Sequence, residues 1–270
     1  MEIFAYIAAV AMGVLLGLLG GGGSVLTLPI LVYLVGLPST IATTYSMFVV
    51  GASAFLASLN YIWRKQVSWR SVIVFGLPSI GAIYFSRKIV FPALPQQVNI
   101  FGSQMQKDTL LMMIFSVFLL LAAWSMLRRT KEESAPAPGA PQDYRYLLLM
   151  LEGLAVGMIV GLLGAGGGFL IIPALVILAH LPMKKAIGTS LTLIFINSAI
   201  GFLGDLQSKM IIDWKLLATF TGFAFAGILI GAYLSKKIAG ERLRPVFGWF
   251  ILAMGLFIIA EELIIKPATE

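Results

Sequence analysis

Apolar and polar positions divide the chain into long hydrophobic runs separated by short polar gaps. The runs fall at about 3–19, 24–36, 40–62, 70–89 and 108–128, and again at about 146–163, 168–180, 184–204, 214–235 and 245–264. Most approach the roughly 20 residues that carry a helix across a hydrocarbon core. The second run of each series, 24–36 and 168–180, is only about 13 residues, too short to cross alone at about 1.5 Å per residue. Each short run follows a cluster of glycines, Gly20-Gly-Gly-Gly23-Ser24 in the first series and Gly164-Ala-Gly-Gly-Gly168 in the second. Consecutive glycines make poor helix, at a cost of roughly 0.8–1.0 kcal/mol each relative to alanine. The pattern therefore predicts membrane helices interrupted twice, at matching places.

The two series are copies. Gly13-Val-Leu-Leu-Gly17-Leu-Leu-Gly20 aligns with Gly157-Met-Ile-Val-Gly161-Leu-Leu-Gly164 at an offset of 144. The register holds through Pro29/Pro173, Leu37/Leu181, Pro38/Pro182, Ala42/Ala186 and Ser46/Ser190, and with one inserted residue it reaches Trp69/Trp214. Glycines and prolines at fixed places are not aligned by apolar bias alone, so the chain reads as an internal duplication. The first membrane repeat is assigned to 1–128, a polar linker to 129–143 and the second repeat to 144–270. Pro136, Pro138 and Pro141 prevent a continuous helix across the linker.

Composition narrows the class. Of 270 residues, 59% are hydrophobic and 11% charged, against about 25% charged in soluble domains, and the mean hydropathy is +0.97. The fold class expected is an all-α polytopic membrane protein with two inverted-topology repeats, Gly-broken helical hairpins and about 8–10 transmembrane segments. A net charge of +7 does not point to nucleic acid, because the cations sit in clusters between apolar runs, as orientation signals do. No cysteine is present, which removes disulfides, thiolate metal sites and cysteine redox chemistry.

Inversion follows from parity, since a copy that begins after five segments enters the membrane the other way round. The charge bias agrees. Arg64, Lys65 and Arg70 flank one loop, whereas its counterpart holds Asp205, Lys209 and Asp213. The uncharged Leu37-Pro38 turn has a counterpart carrying Lys184 and Lys185. Placing Arg64, Lys65, Arg70, Arg128, Arg129, Lys131, Arg145, Lys184, Lys185, Lys236, Lys237, Arg242 and Arg244 in the cytoplasm satisfies 13 of 19 basic residues. The location expected is a prokaryotic inner membrane with both termini extracytoplasmic. Arg87 and Lys88 fit this orientation poorly.

Non-helical backbone survives in a bilayer only where protein buries it or it lines a cavity. A hairpin that breaks near mid-membrane leaves unpaired N–H groups and a positive helix end there, and such ends bind anions. Close helix packing is the competing use of glycine, and Gly13/Gly17, Gly157/Gly161 and Gly227/Gly231 are assigned to it. Expected substrate contacts are Gly21, Gly22, Gly23 and Ser24 at the first break, and Gly166, Gly167 and Gly168 at the second. Tyr45, Ser46, Thr189, Ser190 and Asn197 join them from the third run of each repeat, where Thr43, Thr44, Ser53, Ser58, Asn60, Thr192 and Ser198 are further polar positions. Hydroxyls and amides donate to an anion without adding charge, but they also serve as interhelical bonds or bond back to the preceding turn. No run is expected to hold Asp, Glu, Lys or Arg deep inside, apart from Glu152, read as interfacial with a coupling role as the alternative. His180 reads as structural, and Trp69 and Trp214 as interface anchors. No metal, cofactor or catalytic residue is expected, and the chain does not read as an enzyme.

These motifs resemble those of the sulfite exporter TauE/SafE family. The likeness rests on Gly17-Leu-Leu-Gly20-Gly-Gly-Gly23 with Pro29, and on Gly161-Leu-Leu-Gly164-Ala-Gly-Gly-Gly168 with Pro173. Thr189-Ser190 after Ala186, and Asp213-Trp214 with Gly222 and Gly227, add to it. The first repeat departs from the family pattern with Tyr45-Ser46 where Thr-Ser is frequent. The resemblance implies a secondary transporter of small sulfur-containing anions, sulfite or organosulfonates such as sulfoacetate. A passive anion channel, or a carrier of other small organic anions such as carboxylates, is the alternative.

Overall fold

The computed structural model describes residues 2–95, 97–100, 103–127, 142–164, 166–206, 212–235 and 240–265. The linker positions 129–141, Lys209, Lys236, Lys237 and the terminus through Glu270 lie outside the described residues. Nearly everything described is helix. Helix α1 (Glu2–Leu19) ends in a 3-10 turn, Gly20–Gly23. Helix α2 (Ser24–Pro29) follows and widens into a π-helical stretch, Ile30–Leu34. Helix α3 (Ser39–Trp63) precedes α4 (Trp69–Phe85), which continues through a π-helical stretch, Ser86–Val90, into α5 (Phe91–Ala93). A small antiparallel hairpin, β1 (Gln97–Ile100) with β2 (Ser103–Gln106), leads into α6 (Lys107–Leu127). The second series is α7 (Gln142–Leu163), α8 (Gly168–Ile177), α9 (Met183–Leu206), α10 (Trp214–Ser235) and α11 (Gly240–Ala260), which widens over Glu261–Ile265. Gln142 and Asp143, expected in the linker, already belong to α7.

Six of these segments are long and apolar enough to cross a membrane: Ser39–Trp63, Trp69–Ala93, Lys107–Leu127, Tyr146–Leu163, Met183–Leu206 and Trp214–Ser235. The protein is a polytopic all-α membrane protein. Its outer surface is apolar, with Phe4, Ile73, Leu77, Trp124, Leu229 and Trp249 exposed. That surface suits lipid, where the backbone must satisfy itself within helices.

Helix directions can be read from the glycines. Gly13 lies against Ala224 and Gly17 against Ile228 and Ala232, so α1 and α10 run parallel. Gly153 lies against Phe75 and Gly161 against Ser86, so α7 and α4 also run parallel. Gly51 meets Ser198 while Gly188 meets Tyr61, which makes α3 and α9 antiparallel; Gly248 on Leu127 and Gly255 on Leu120 do the same for α11 and α6. Helix α4 runs with α9, since Gly76 meets Leu193 and Gly204 meets Arg87. The starts of α10 and α6 both lie at the start of α3, since the Asp213 N–H donates to Tyr45 and the Thr40 N–H to Asp108, so α1, α3, α6 and α10 point one way, and α4, α7, α9 and α11 the other. Helices α7, α9, α10 and α11 each oppose their counterpart in the first repeat. The inversion expected from five segments per repeat is present in the packed bundle.

The repeats are interlocked. The largest helix contacts all cross between them: α1 on α10, α4 on α7, α6 on α11 and α3 on α9. Small residues permit the approach, since a Cβ on Gly17 would sit 2.6 Å from the Ile228 carbonyl oxygen. The bundle has two ends, named here for the cations they carry. The Arg64 end collects the α3–α4 turn and the start of α9, with Lys65, Arg70, Lys184 and Lys185. The Arg87 end collects the end of α4, the β-hairpin and the start of α10, with Lys88, Lys107 and Lys215.

Candidate functional site

The two glycine breaks meet. A Cβ on Gly21 would lie within 2.7 Å of Gly168 backbone atoms, so the backbones touch where α1 ends and α8 begins. Gly20 and Gly164 are equivalent positions, and both take a left-handed backbone, with φ of 68° and 67°. Any other residue there would be strained. The second break departs further from helix, with Gly166 at 65° and Gly167 at 74°.

A stripe from each third helix faces the breaks. On α3 it is Thr43, Ser46, Val50 and Ser53, and on α9 the equivalent Ile187, Ser190, Ile194 and Asn197. The spacing i, i+3, i+7, i+10 keeps each set on one helical face. Gly164 packs on Thr43, Gly166 on Val50 and Ser198, Gly168 on Ile194 and Gly20 on Ile187, so the second break rests on hydroxyl-bearing and aliphatic side chains and the first on an aliphatic one. Within this core Ser46, Ser53 and Ser198 have hydroxyls, and Asn197 has both amide atoms, without a hydrogen-bond partner among the described residues. All four side chains are fully buried. Buried polar groups are normally paired, so this concentration of orphans calls for an explanation in function. Thr27 on α2 is a further buried orphan.

The other expected contacts are placed differently. The Ser24 hydroxyl donates to the Gly21 carbonyl at 2.6 Å and holds the first break closed. Ser190 donates to the Ile187 carbonyl at 2.9 Å, one turn back on its own helix. Thr189 donates to the Lys185 carbonyl at 2.7 Å and accepts the Ser68 N–H at 2.9 Å. Tyr45 accepts the Asp213 N–H at 2.6 Å. Tyr45 and Thr189 are equivalent in the repeat, and so are the N–H groups they hold, one residue ahead of Trp214 and Trp69. Each anchors the start of a helix, at opposite ends of the bundle. Gly22 and Gly23 lie in the 3-10 turn, and Gly23 packs back on Leu16.

The expectation that only Glu152 is an ionisable group within the runs is corrected by the structure. Arg87, 4% exposed, reaches Asp205 at 3.1 Å, and its guanidinium also donates to Thr43 at 3.4 Å and stacks over the Phe91 ring at 4.9 Å. Thr44 donates to Asp205 at 2.6 Å. The two charges come from α9 and from the π-helical stretch after α4. Arg87 lies near the end of the expected 70–89 run, and Asp205 lies on α9 just past the expected run end at 204, in helix rather than loop. Their position within an apolar span was the available signal, since ionisable groups there pair with one another. Arg87 is thus no free surface cation, whereas Lys88 beside it is exposed. Glu152 is half-buried on α7, away from the breaks. His180 is exposed in the turn after α8, with Nδ1 3.1 Å from the Leu178 carbonyl. Trp69 and Trp214 are both 55% exposed at helix starts. Among the described residues no three His, Asp or Glu side chains come together as a metal site.

A cavity of about 140 Å³ opens at the Arg64 end, lined by Asn60, Tyr61, Arg64, Gln66, Lys184, Ile187 and Ser235. Ile187 is the shared wall between this cavity and the first break, since it also touches Gly20. Sequence reading assigned these cations to orientation only.

Residues 5–258 match the family described as Sulfite exporter TauE/SafE. A probable membrane transporter protein of Xylella fastidiosa (strain 9a5c) is 30% identical over 92% of this chain and 90% of its own length. Probable membrane transporter proteins of Methanocaldococcus jannaschii (26% identical, 92% of this chain, 91% of that one) and Bacillus subtilis (23% identical, 95% and 98%) are similar over comparable lengths. No solved structure gives a significant match.

Proposed function

We propose that this chain, which belongs to the sulfite exporter TauE/SafE family and is a membrane transporter, carries small sulfur-containing anions, sulfite or organosulfonates such as sulfoacetate, by alternating access. The observation that carries the reading is the meeting of two inverted glycine breaks beside buried Ser46, Ser53, Asn197 and Ser198, which have no hydrogen-bond partner among the described residues. Inverted repeats with broken helices place substrate at the repeat interface, with helix N-termini toward anionic groups. Here α8 begins at that point with Gly167 as its cap, and α2 begins beside it. Neutral donors suit an anion that must be desolvated and then released. A fixed cation at the same place would hold it too tightly to leave.

In the cell the Arg64 end faces the cytoplasm of a prokaryotic inner membrane and both termini face outward. Support comes from the described cations Arg64, Lys65, Arg70, Lys184 and Lys185 at the Arg64 end, against Lys88, Lys107, Lys215 and the paired Arg87 at the other. A periplasm-active reporter fused after Glu270 should be active, and a cytoplasm-only signal would reverse the orientation.

Flux in proteoliposomes tests the function. Radiolabelled sulfite and sulfoacetate should enter with saturation and exchange against unlabelled anion. The Ser46→Ala/Asn197→Ala double variant should lower flux about tenfold at unchanged unfolding temperature, the loss of roughly 1.4 kcal/mol of binding. A folded protein that neither binds nor moves any small anion would sink the proposal. Unitary currents without exchange would replace the carrier by a channel, and uptake of carboxylates alone would replace the substrate class.

A further inference from the structure

The cavity at the Arg64 end sits in an unusual place. It is set between the end of α3, the start of α9 and the end of α10, and the inner parts of α3 and α9 pack on the glycine breaks. Its lining holds two cations, Arg64 and Lys184, and no carboxylate. The remaining polar lining, Asn60, Tyr61, Gln66 and Ser235, offers amide and hydroxyl donors. A second polar hollow, at the Arg87 end, is lined by Gln97, Gln106, Lys107 and Asp108. There one carboxylate offsets one cation, and the Lys107 ammonium is already bonded to the Phe91 carbonyl at 2.8 Å. The two hollows differ in the charge they can receive, and among the described lining residues the first carries two cations and no carboxylate.

Size also fits. Water occupies about 30 Å³ per molecule in the liquid, so a 140 Å³ cavity takes a compact oxyanion with a few waters. One lining residue also reaches the first break. Ile187 lines the cavity, and its Cγ2 would lie 2.7 Å from a Cβ placed on Gly20. An anion in the cavity is therefore one residue away from the first glycine break.

We propose that the Asn60–Arg64–Gln66–Lys184–Ser235 cavity is a binding site for a small dianion, and that it selects doubly charged over singly charged anions before they pass Ile187. The role as a capture site rests on the transport reading; the binding site itself does not. Two cations at the mouth of a low-dielectric bundle attract a dianion about twice as strongly as a monoanion of the same shape, and salt screens the difference. The centre, built from neutral donors, has no such charge preference. The cavity and the centre thus divide the work, with charge read at the mouth and shape read at the breaks.

The test uses the full chain in phosphatidylcholine nanodiscs, with sulfoacetate as dianion and methanesulfonate as monoanion, followed by calorimetry. The unaltered protein should prefer sulfoacetate about tenfold at low salt, and less at high salt. Arg64→Gln and Lys184→Gln should each weaken sulfoacetate about fivefold, and the double variant should lose most of the preference. Arg64→Lys should keep it. Both positions are exposed, so unfolding temperature should not move. An unchanged preference in the folded double variant overturns the proposal and leaves the transport reading standing if flux persists. Binding that depends on Arg64 and Lys184, in vesicles that move no anion, does the reverse. Loss of sulfoacetate binding on adding phosphatidylglycerol at constant ionic strength makes the cavity a lipid headgroup site and also overturns the proposal.

Discussion

The two ends of the bundle are built on the same backbone plan yet differ in whether they are open. Around the cavity at the Arg64 end stand Asn60, Tyr61, Lys184 and Ile187. The repeat maps them onto Gly204, Asp205, Thr40 and Thr43 at the Arg87 end. There Arg87, at the position equivalent to Ala232, fills the space and pairs with Asp205. Duplication thus set the scaffold, and a few side chains decide which end water reaches. A buried ion pair gains little net over apolar packing, because desolvation offsets attraction. Closing an end with charge gives a contact that water can take apart. Closing it with interlocked side chains would not. An exchange of shape between the repeats would close the cavity over Ile187 and open its counterpart over Thr43.

The strongest way to break this comparison is to remove one charge. Asp205→Ala leaves the Arg87 guanidinium buried without its counter-charge and should cost about 3–5 kcal/mol in unfolding measurements. Lys88→Gln, on the neighbouring but exposed cation, should change stability by less than about 0.5 kcal/mol. Equal effects from the two would mean that the ion pair does not close its end.

Accessibility sharpens the comparison further, and the absence of native cysteine makes it direct. Asn60→Cys should react with a membrane-impermeant maleimide at least about tenfold faster than Thr43→Cys, which is fully buried at the opposite end. Saturating substrate should narrow the ratio by populating the other state. A ratio near one without substrate would show that both ends are equally open.

The smallest effects separate anchoring from binding. Tyr45→Phe and Thr189→Val each remove the acceptor of one N–H at a helix start, and each should cost about 1 kcal/mol of stability. Anion affinity should stay unchanged in both. Weakened affinity at constant unfolding temperature would return these two residues to the substrate site.

Much of this molecule was legible locally. Run lengths marked the helices, glycine clusters marked the breaks, and five segments per repeat dictated inversion, because hydrophobicity, helix propensity and parity act over short or countable stretches. The pairing Tyr45/Thr189 was also visible, but as equivalence only. Sequence cannot show that both hydroxyls are spent on backbone 168 and 121 residues away. The same reason hid the link between Arg87 and Asp205, 118 residues apart.

By itself, then, the amino-acid sequence determined that the chain is a duplicated, inverted membrane bundle with two broken helices. Only the tertiary structure decided which polar groups stay unpaired at the breaks, which end is sealed by an ion pair and which cations line a cavity. A hydrogen-bond or ion-pair partner is chosen by packing in three dimensions. Local pattern carries the placement of a group on its helix face, not the identity of what that face will meet.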